Sequence, residues 1–516
     1  MADCNIYPST KEAINYRYVF IFVNFLVENY YPYPLTSSQD FSYSGYKYGL
    51  ELPPDNLPIL ERLSPRNSYD SLDDTSRIQA AIDRASLAQL DSKGFRGTVH
   101  LNPGIYHISH TLFINASGIV LEGESTGGTR IFTNLSDAEN LPFIVNVQGA
   151  GHSWLRSTKA RVLDDYVPVG AQSLRIEKVW IFRPGHTIQV AITTNKEWVQ
   201  SLSMDKIPLK KADSHEWVPM QFTVFRKVVF VDIFRGEIHL DAPLTMSISS
   251  QFGGAYVQRY RNRRISHVGI QDLEFICPFN EGREAKEFPN VPPGRDYRFA
   301  QEMFQNYVAQ FENVEHSWMR NVNSSWFHNF VSLAPGSKHI TIMNCHHRYP
   351  NQRAFYSGQS TYKVDGQLIL FTHCSSDNAF HNWAFMGRVP GPNVVHRCSA
   401  TGTGDSGPHM RWSTGQLYDN VMFNGTLLIQ NRGQSGTGHG WAGANSVVWN
   451  SQVSGGIVVQ RPPTAQNFAI GSTNKTSKRM VTTADWGWWE SPGRPVWPES
   501  LYEAQLEERK RRYGIL

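Results

Sequence analysis

Cysteine is scarce in this chain, with five residues in 516, and none stand in a Cys-x-x-Cys pair. That excludes a disulfide-stapled framework and leaves a zinc site without its usual ligand spacing. Charge is sparse too. Asp, Glu, Lys and Arg make up 18% of the residues, the net charge is +4, and Lys and Arg are scattered rather than clustered; this argues against nucleic acid as a partner. The apolar run near the start, Tyr18 to Val27, covers ten residues, where a bilayer span needs about 20. It is also a poor secretion signal: Asp3, Lys11, Glu12 and Arg17 balance one another before it, and no small-residue cleavage site follows. The expectation is an intracellular protein, or a secreted one if the start is mis-assigned. Five glycosylation triplets, at Asn115, Asn134, Asn323, Asn424 and Asn474, point towards secretion. A Rossmann glycine pattern, a Walker loop, HExxH and a GxSxG in fitting context are all missing, so nucleotide and zinc-protease chemistry find no footing.

What the chain does have is a loose repeat across its second half. Asn321, Cys345, Cys374, Cys398, Asn420 and Asn450 mark successive turns, with gaps of 24, 29, 24, 22 and 30 residues. Short apolar runs precede them, among them Ile340–Met343, Leu368–Phe371, Val394–Val395, Leu417–Tyr418 and Val447–Trp449. One short strand after another at this period, with no helix between, predicts a parallel β-solenoid whose equivalent residues stack into ladders. A β-sandwich of unrelated strands is the competing fold. Glycine (40 residues) and aromatics (12%) suit many turns and stacked rings. The three cysteines on the repeat read as a buried ladder of small side chains.

Residues 1–60 read as a Tyr- and Pro-rich extension, 61–149 as a cap helix and first coils, 150–262 as a β-rich insertion, 263–470 as the main coils and 471–516 as a tail with a helix. Within the first coils, Asp73-Asp74-Thr75 precedes an amphipathic helix with Ile78 and Ile82 on one face, for which Asp74 or Thr75 can serve as cap. Gly97-Thr-Val-His-Leu-Asn-Pro-Gly-Ile-Tyr106 follows, then Gly118-Ile-Val-Leu-Glu-Gly123. This run from Asp73 to Gly123 resembles the opening of pectate-lyase-like right-handed β-helix proteins, where a helix covers the open end and such a strand starts the first coil. The resemblance implies an all-β right-handed parallel β-helix. Pro278 to Phe299 reads as a long polar loop, and Ser500 to Tyr513 as a charged helix folded back as the C-terminal cap.

The repeat also sets a register for chemistry. His381 lies seven residues past Cys374 and Asp405 seven past Cys398, so in-register coils would project both from one side. Arg432 lies on the next loop. Around them stand Asn382, His409, Arg411, Trp412, His439 and Trp441. His409 or His439 is assigned as base or acid, with His381 and Asp405 beside them. Arg411 and Arg432 are assigned as carboxylate holders, and Trp412, Trp441 and Asn382 as substrate contacts. The leading reading is cofactor-free β-elimination on an acidic polysaccharide or glycoside, which needs a base, an acid and positive charge for the enolate-like intermediate. The resemblance implies calcium held by several acids, but only Asp377, Asp405 and Asp419 stand near the cluster, so no metal and no cofactor is assigned. The second reading is an intracellular cyclase or isomerase acting on a small apolar intermediate, as in secondary metabolism. The third is a glycoside hydrolase, since Gly438-His439-Gly440 is similar to a segment of polygalacturonase-type enzymes; Asp377 and Asp405 would be its carboxylates. The fourth is glycan binding without catalysis. The expected partner is a small-molecule or oligosaccharide substrate, and the expected state a monomer with no membrane span.

Overall fold

A computed structural model describes residues 39–66, 73–133, 142–208, 214–277, 306–349 and 360–515. The run Tyr18–Val27, the Asn134 triplet and the loop from Pro278 to Phe299 lie outside the described residues. The strands stack in parallel, coil upon coil, and every coil of the main body has three faces. On the first face Gly97–Leu101 pairs with Ile119–Gly123, and Val314–Ser325 with Lys338–Met343, Leu370–Thr372, Pro390–His396, Ser413–Asp419, Val447–Trp449 and Phe468–Ile470 in succession. The second face carries His346–Arg348, Ser375–Asp377, Ser399–Ala400, Met422–Phe423 and Gln452–Val453. The third is a nine-stranded sheet running from Leu112–Ile114 to Ile457–Val459. This is a right-handed parallel β-helix, the architecture that the resemblance implied.

The corner between the first and second faces explains the repeat. Asp272, Asn321, Asn344, His373, Arg397, Asn420 and Asn450 all sit there in the left-handed region, with φ between 43° and 57°. Asn and Asp tolerate this conformation better than other non-glycine residues, so Asn recurs. The next residue points inward, and there Cys345, Cys374 and Cys398 stack in the core, each 1% exposed or less. The sequence marks therefore mix two adjacent ladders, one of left-handed corner residues and one of small inward side chains. Asn321 Nδ2 donates to Asp272 Oδ1 (2.8 Å), and Asn450 Nδ2 donates to the carbonyls of Val496 (2.7 Å), Pro498 (3.2 Å) and Glu499 (2.9 Å). Inward residues from all three faces form one continuous apolar core from Leu63 to Ala469.

Both ends of the helix differ from expectation. Ile59–Leu63, within and just past the supposed extension, pairs in parallel with Gly97–Leu101, and Trp488–Glu490, in the supposed tail, pairs in parallel with Phe468–Ile470. The cap helix runs Thr75–Ser86 and buries Ile78, Ala81, Ile82 and Ala85. Asp74 occupies its N-cap position without capping it, because its carboxylate is held by Arg77 (2.6 Å) and the His107 amide (3.1 Å); Asp73 Oδ1 accepts from the Thr75 amide instead (3.0 Å). The C-terminal helix, Leu501–Arg512, is capped by Ser500, whose side chain accepts from the Glu503 amide. It covers no coil end. Leu501 and Tyr502 pack with Leu370, Val394, Leu417 and Val447, so the helix lies sideways across the outer surface of the first face.

Residues 153–261 leave the third-to-first-face corner and form an antiparallel sheet with its own apolar core. Arg226, 0% exposed, fastens it to the coils: it donates to the carbonyls of Ala242 (3.0 Å), Phe225 (2.9 Å) and Pro243 (2.6 Å) in the insertion and of Gly391 (3.0 Å) in the solenoid.

Replacing Asn450 by Ala should destabilise the chain by roughly 2 kcal/mol, since it strains a left-handed residue and removes its side-chain hydrogen bonds to the carbonyls of Val496, Pro498 and Glu499. Asn450→Gly should recover about 1 kcal/mol of this, the conformational part, in urea unfolding; equal losses would place the whole effect in the hydrogen bonds. Stability should also fall in mild acid. Burial, with His316 nearby, holds His339 well below the ordinary imidazole range, and burial, with His328, pushes His347 down to about 3. The unfolded chain takes up these protons below about pH 6.5 while the folded chain refuses them. Each such histidine then removes up to about 1.4 kcal/mol per pH unit as pH drops. Denaturant midpoints between pH 7.5 and 5 check this, and His347→Gln should flatten the slope.

Candidate functional site

A group of ionisable side chains lies on the outer side of the third face, where it meets the corner beneath the insertion. His381 opens the strand His381–Phe385 and Asp405 opens the next, Asp405–Pro408; the two are register partners. His381 Nδ1 and Asp405 Oδ1 share a short hydrogen bond. His409 follows the Asp405 strand, and its ring stands 4.7 Å from His381 and 5.0 Å from His439, centroid to centroid. Arg432 Nη1 donates to His409 Nδ1 (3.0 Å) and to the His409 carbonyl (2.8 Å). Asp405, His409 and Arg432 line a shallow pocket with Ala384, Gly407 and Leu428. Gly407 is required there: its φ is +142°, and a Cβ would stand 2.3 Å from the Leu428 carbonyl oxygen.

Electrostatics separates the roles. Burial pushes the Asp405 carboxyl up, but the neighbouring His381, their hydrogen bond and Arg432 outweigh it and hold Asp405 below the usual carboxylate range. Burial, then the charges of His381, Arg432 and His439, hold His409 far below the usual imidazole range, so it is neutral. With Nδ1 accepting from Arg432, neutral His409 carries its proton on Nε2. With Nδ1 bonded to a carboxylate, His381 keeps its own proton there and leaves Nε2 as a base. Burial lowers Arg432, and Asp405 partly restores it.

Other predicted residues are placed differently. Arg411, in the left-handed region at φ 45°, donates through Nη2 to the carbonyl (2.9 Å) and hydroxyl (2.7 Å) of Thr437 and lies 3.1 Å from His215 Nε2. It braces two loops and the insertion rather than standing free for a carboxylate. Trp412 and Trp441 are not sugar platforms. They are 2% and 4% exposed and belong to the insertion's core, Trp412 edge-on to Trp198 at 5.0 Å and Trp441 Nε1 donating to the Leu202 carbonyl (3.3 Å). Asn382 is buried as well, accepting from Ser376 Oγ (2.8 Å) and donating to the Asp405 carbonyl (3.3 Å). Asp419 is remote from the cluster, under the C-terminal helix, where it accepts from Ser500 Oγ (2.6 Å) and the Tyr502 amide (2.8 Å). Asp377, on the second face, accepts from Thr401 Oγ1 (2.9 Å). With its acids spoken for in this way, the cluster does not fit the calcium set that the resemblance implies, and among the described residues no group of three His, Cys, Asp or Glu side chains is placed to hold a metal. Two neighbours escaped the sequence reading. Phe380 is 36% exposed, its ring 4.5 Å from that of His381, and His215 reaches Arg411 from 196 residues away, a separation no local pattern signals. Trp198, Trp412 and Phe252 also line a cleft of ≈ 330 Å³ between insertion and coils, with Asp165 and Asn445 at its polar side.

No protein-family model matches the chain, and no curated protein matches it. Solved structures do. The tailspike protein gp49 from Pseudomonas phage LKA1 is 11% identical with a TM-score of 0.44, over 78% of this chain and 56% of that one. The Gp54 tailspike of Acinetobacter baumannii bacteriophage AP22, in complex with A. baumannii capsular saccharide, is 8% identical with a TM-score of 0.36, over 81% and 66%. The tailspike protein of E. coli bacteriophage HK620, in complex with a pentasaccharide, is 9% identical with a TM-score of 0.40, over 78% and 54%. The chain thus spans between 54% and 66% of the length of these proteins, and no site residue is carried over from them.

Trp412→Ala should cost about 3–5 kcal/mol in denaturant unfolding, as expected for emptying a buried Trp site. An unchanged unfolding midpoint would remove Trp412 from the insertion's core.

Proposed function

We propose that the chain binds an acidic glycan along the third face and cleaves it by cofactor-free β-elimination. The observation that carries this reading is the adjacency of two imidazoles with different Nδ1 partners, His381 bonded to Asp405 and His409 bonded to Arg432, their rings 4.7 Å apart. His381 Nε2 takes the proton α to the uronate carboxylate. The electron pair passes through an enolate-like intermediate, held by the His409 Nε2–H and the Arg432 charge, to form the ring double bond as the bond to the leaving oxygen breaks. Imidazolium His381 then returns its proton to that oxygen, so one residue serves as base and acid and the step balances. His439 packs behind His409, and Arg411 fixes the loop.

The second reading, glycan binding without turnover, is favoured by the commitment of both arginines to backbone carbonyls. The small-molecule cyclase or isomerase reading would instead use the aromatic-lined cleft at Trp198 and Trp412. The hydrolase reading asks for two carboxylates flanking one bond, but Asp377 is bonded to Thr401 and Asp405 to His381.

The test is an absorbance assay for unsaturated product on a panel of uronate polysaccharides, with and without chelator. A chelator-resistant rise is expected. His381→Ala and Asp405→Asn should each reduce it at least about 100-fold, the scale of acid–base catalysis, while melting close to the parent. Polymer binding with no rise establishes the second reading. Neither binding nor a rise removes the glycan assignment in favour of the cleft.

A further inference from the structure

A second pocket lies on the outer face of the insertion sheet, apart from the His381 cluster and unused by the proposed reaction. The strand Thr187–Thr193 runs between Gln221–Asp232 and Ala255–Arg261, antiparallel to both. Ile188, Val190 and Ile192 belong to the insertion's apolar core, so alternation turns Gln189 to the opposite side. There Gln189 is the register partner of Gln258, and Ala191 of Tyr256. Trp154, register partner of Tyr260, stands at the edge and is 38% exposed. Trp154, Gln189, Tyr256 and Gln258, together with Arg156, Lys159 and Gln221, line a pocket of ≈ 350 Å³.

Its polar groups are ordered in advance. Gln189 Nε2 donates to Gln258 Oε1 (3.1 Å), and Tyr256 Oη donates to Gln221 Oε1 (3.0 Å). Lys159 Nζ is held 3.8 Å above the Tyr256 ring. Gln189 is 3% exposed, yet its Oε1 has no hydrogen-bond partner among the described residues. An unsatisfied buried acceptor in a native protein calls for a donor from outside. Neither Arg156 nor Lys159 makes an ion pair among the described residues, and no carboxylate is among the side chains that line the pocket.

We propose that this pocket binds an acidic sugar unit. The exposed Trp154 edge supplies a flat apolar contact for a ring, and Gln189, Gln258 and Gln221 supply side-by-side amide donors and acceptors for neighbouring hydroxyls. Arg156 and Lys159 supply the charge for a carboxylate. The site goes beyond the proposed reaction and stands whether or not the His381 cluster turns anything over.

The full chain is titrated calorimetrically with trigalacturonate and triglucuronate, and with neutral cellotriose as contrast. An acidic trisaccharide should bind, at least tenfold more tightly than cellotriose and more weakly as salt rises. Trp154→Ala and the double substitution Arg156→Gln with Lys159→Gln, all at exposed positions, should each weaken it tenfold or more with an unchanged circular dichroism spectrum. The surface substitutions are titrated in the Arg432→Ala background, which removes the charge that the His381 cluster would offer a carboxylate, so failure here and failure of the elimination reading are separable. The proposal is overturned if no acidic trisaccharide binds in that background, if cellotriose binds as well, or if binding there survives the surface substitutions.

Discussion

Each coil must turn a corner without releasing the backbone hydrogen bonds that join it to the coils on either side. The rest of the structure depends on how that is met. Between the first and second faces the chain bends at a single left-handed residue, whose amide still reaches the next coil, as Asn344 does to Thr372 (3.1 Å) and Asn450 to Ile470 (2.9 Å). Stacking is therefore unbroken around the bend, and the residue after it turns into the core, as Leu273, Val322, Cys345, Cys374, Cys398 and Val421 do. Faces, core and site all inherit their register from this corner.

That constraint is why the architecture could be read from the chain at all. Asn at a left-handed corner and Cys just inside it are both frequent enough to notice. Because they occupy adjacent positions, a count of marks slides by one residue between the two ladders. The outermost strands were harder to see. Ile59–Leu63 and Trp488–Glu490 are single short strands flanked by Pro or Gly segments, with no repeat beside them, and they are strands because an existing edge pairs with them. The C-terminal helix was legible as a helix, from its charge pattern, but not in its position. The apolar patch that it covers is assembled from Leu370, Val394, Leu417 and Val447, one residue per coil.

The candidate site divides along the same line. The equal offset from Cys374 and Cys398 placed His381 and Asp405 on adjacent coils, and they are register partners, since one coil's length was visible in the repeat. The tryptophans beside them were misread because the insertion that buries them comes from residues some 200 positions earlier. A Trp in a Gly-rich loop looks the same in sequence whether solvent or another sheet covers it. The difference between His381 and His409 was likewise invisible, because it arises from which partner each Nδ1 finds.

The C-terminal helix joins parts of the chain that a stack of coils would leave independent. Arg509 donates to the Ser42 carbonyl (2.7 Å) and lies 4.1 Å over the Tyr43 ring, and Gln505 bonds to Gln39 and Phe41. Segment 39–48 in turn grips the coils through Gly45 to Leu368 (2.8 Å) and Tyr46 to Thr341 (2.8 Å). Solenoids ordinarily open from whichever terminus is weakest, one repeat at a time. Here the last helix and residues 39–48 are riveted to each other across mid-body coils, so neither can fray without disturbing the other. The clasp so formed ties two stretches that are more than 450 positions apart in sequence to the same coils.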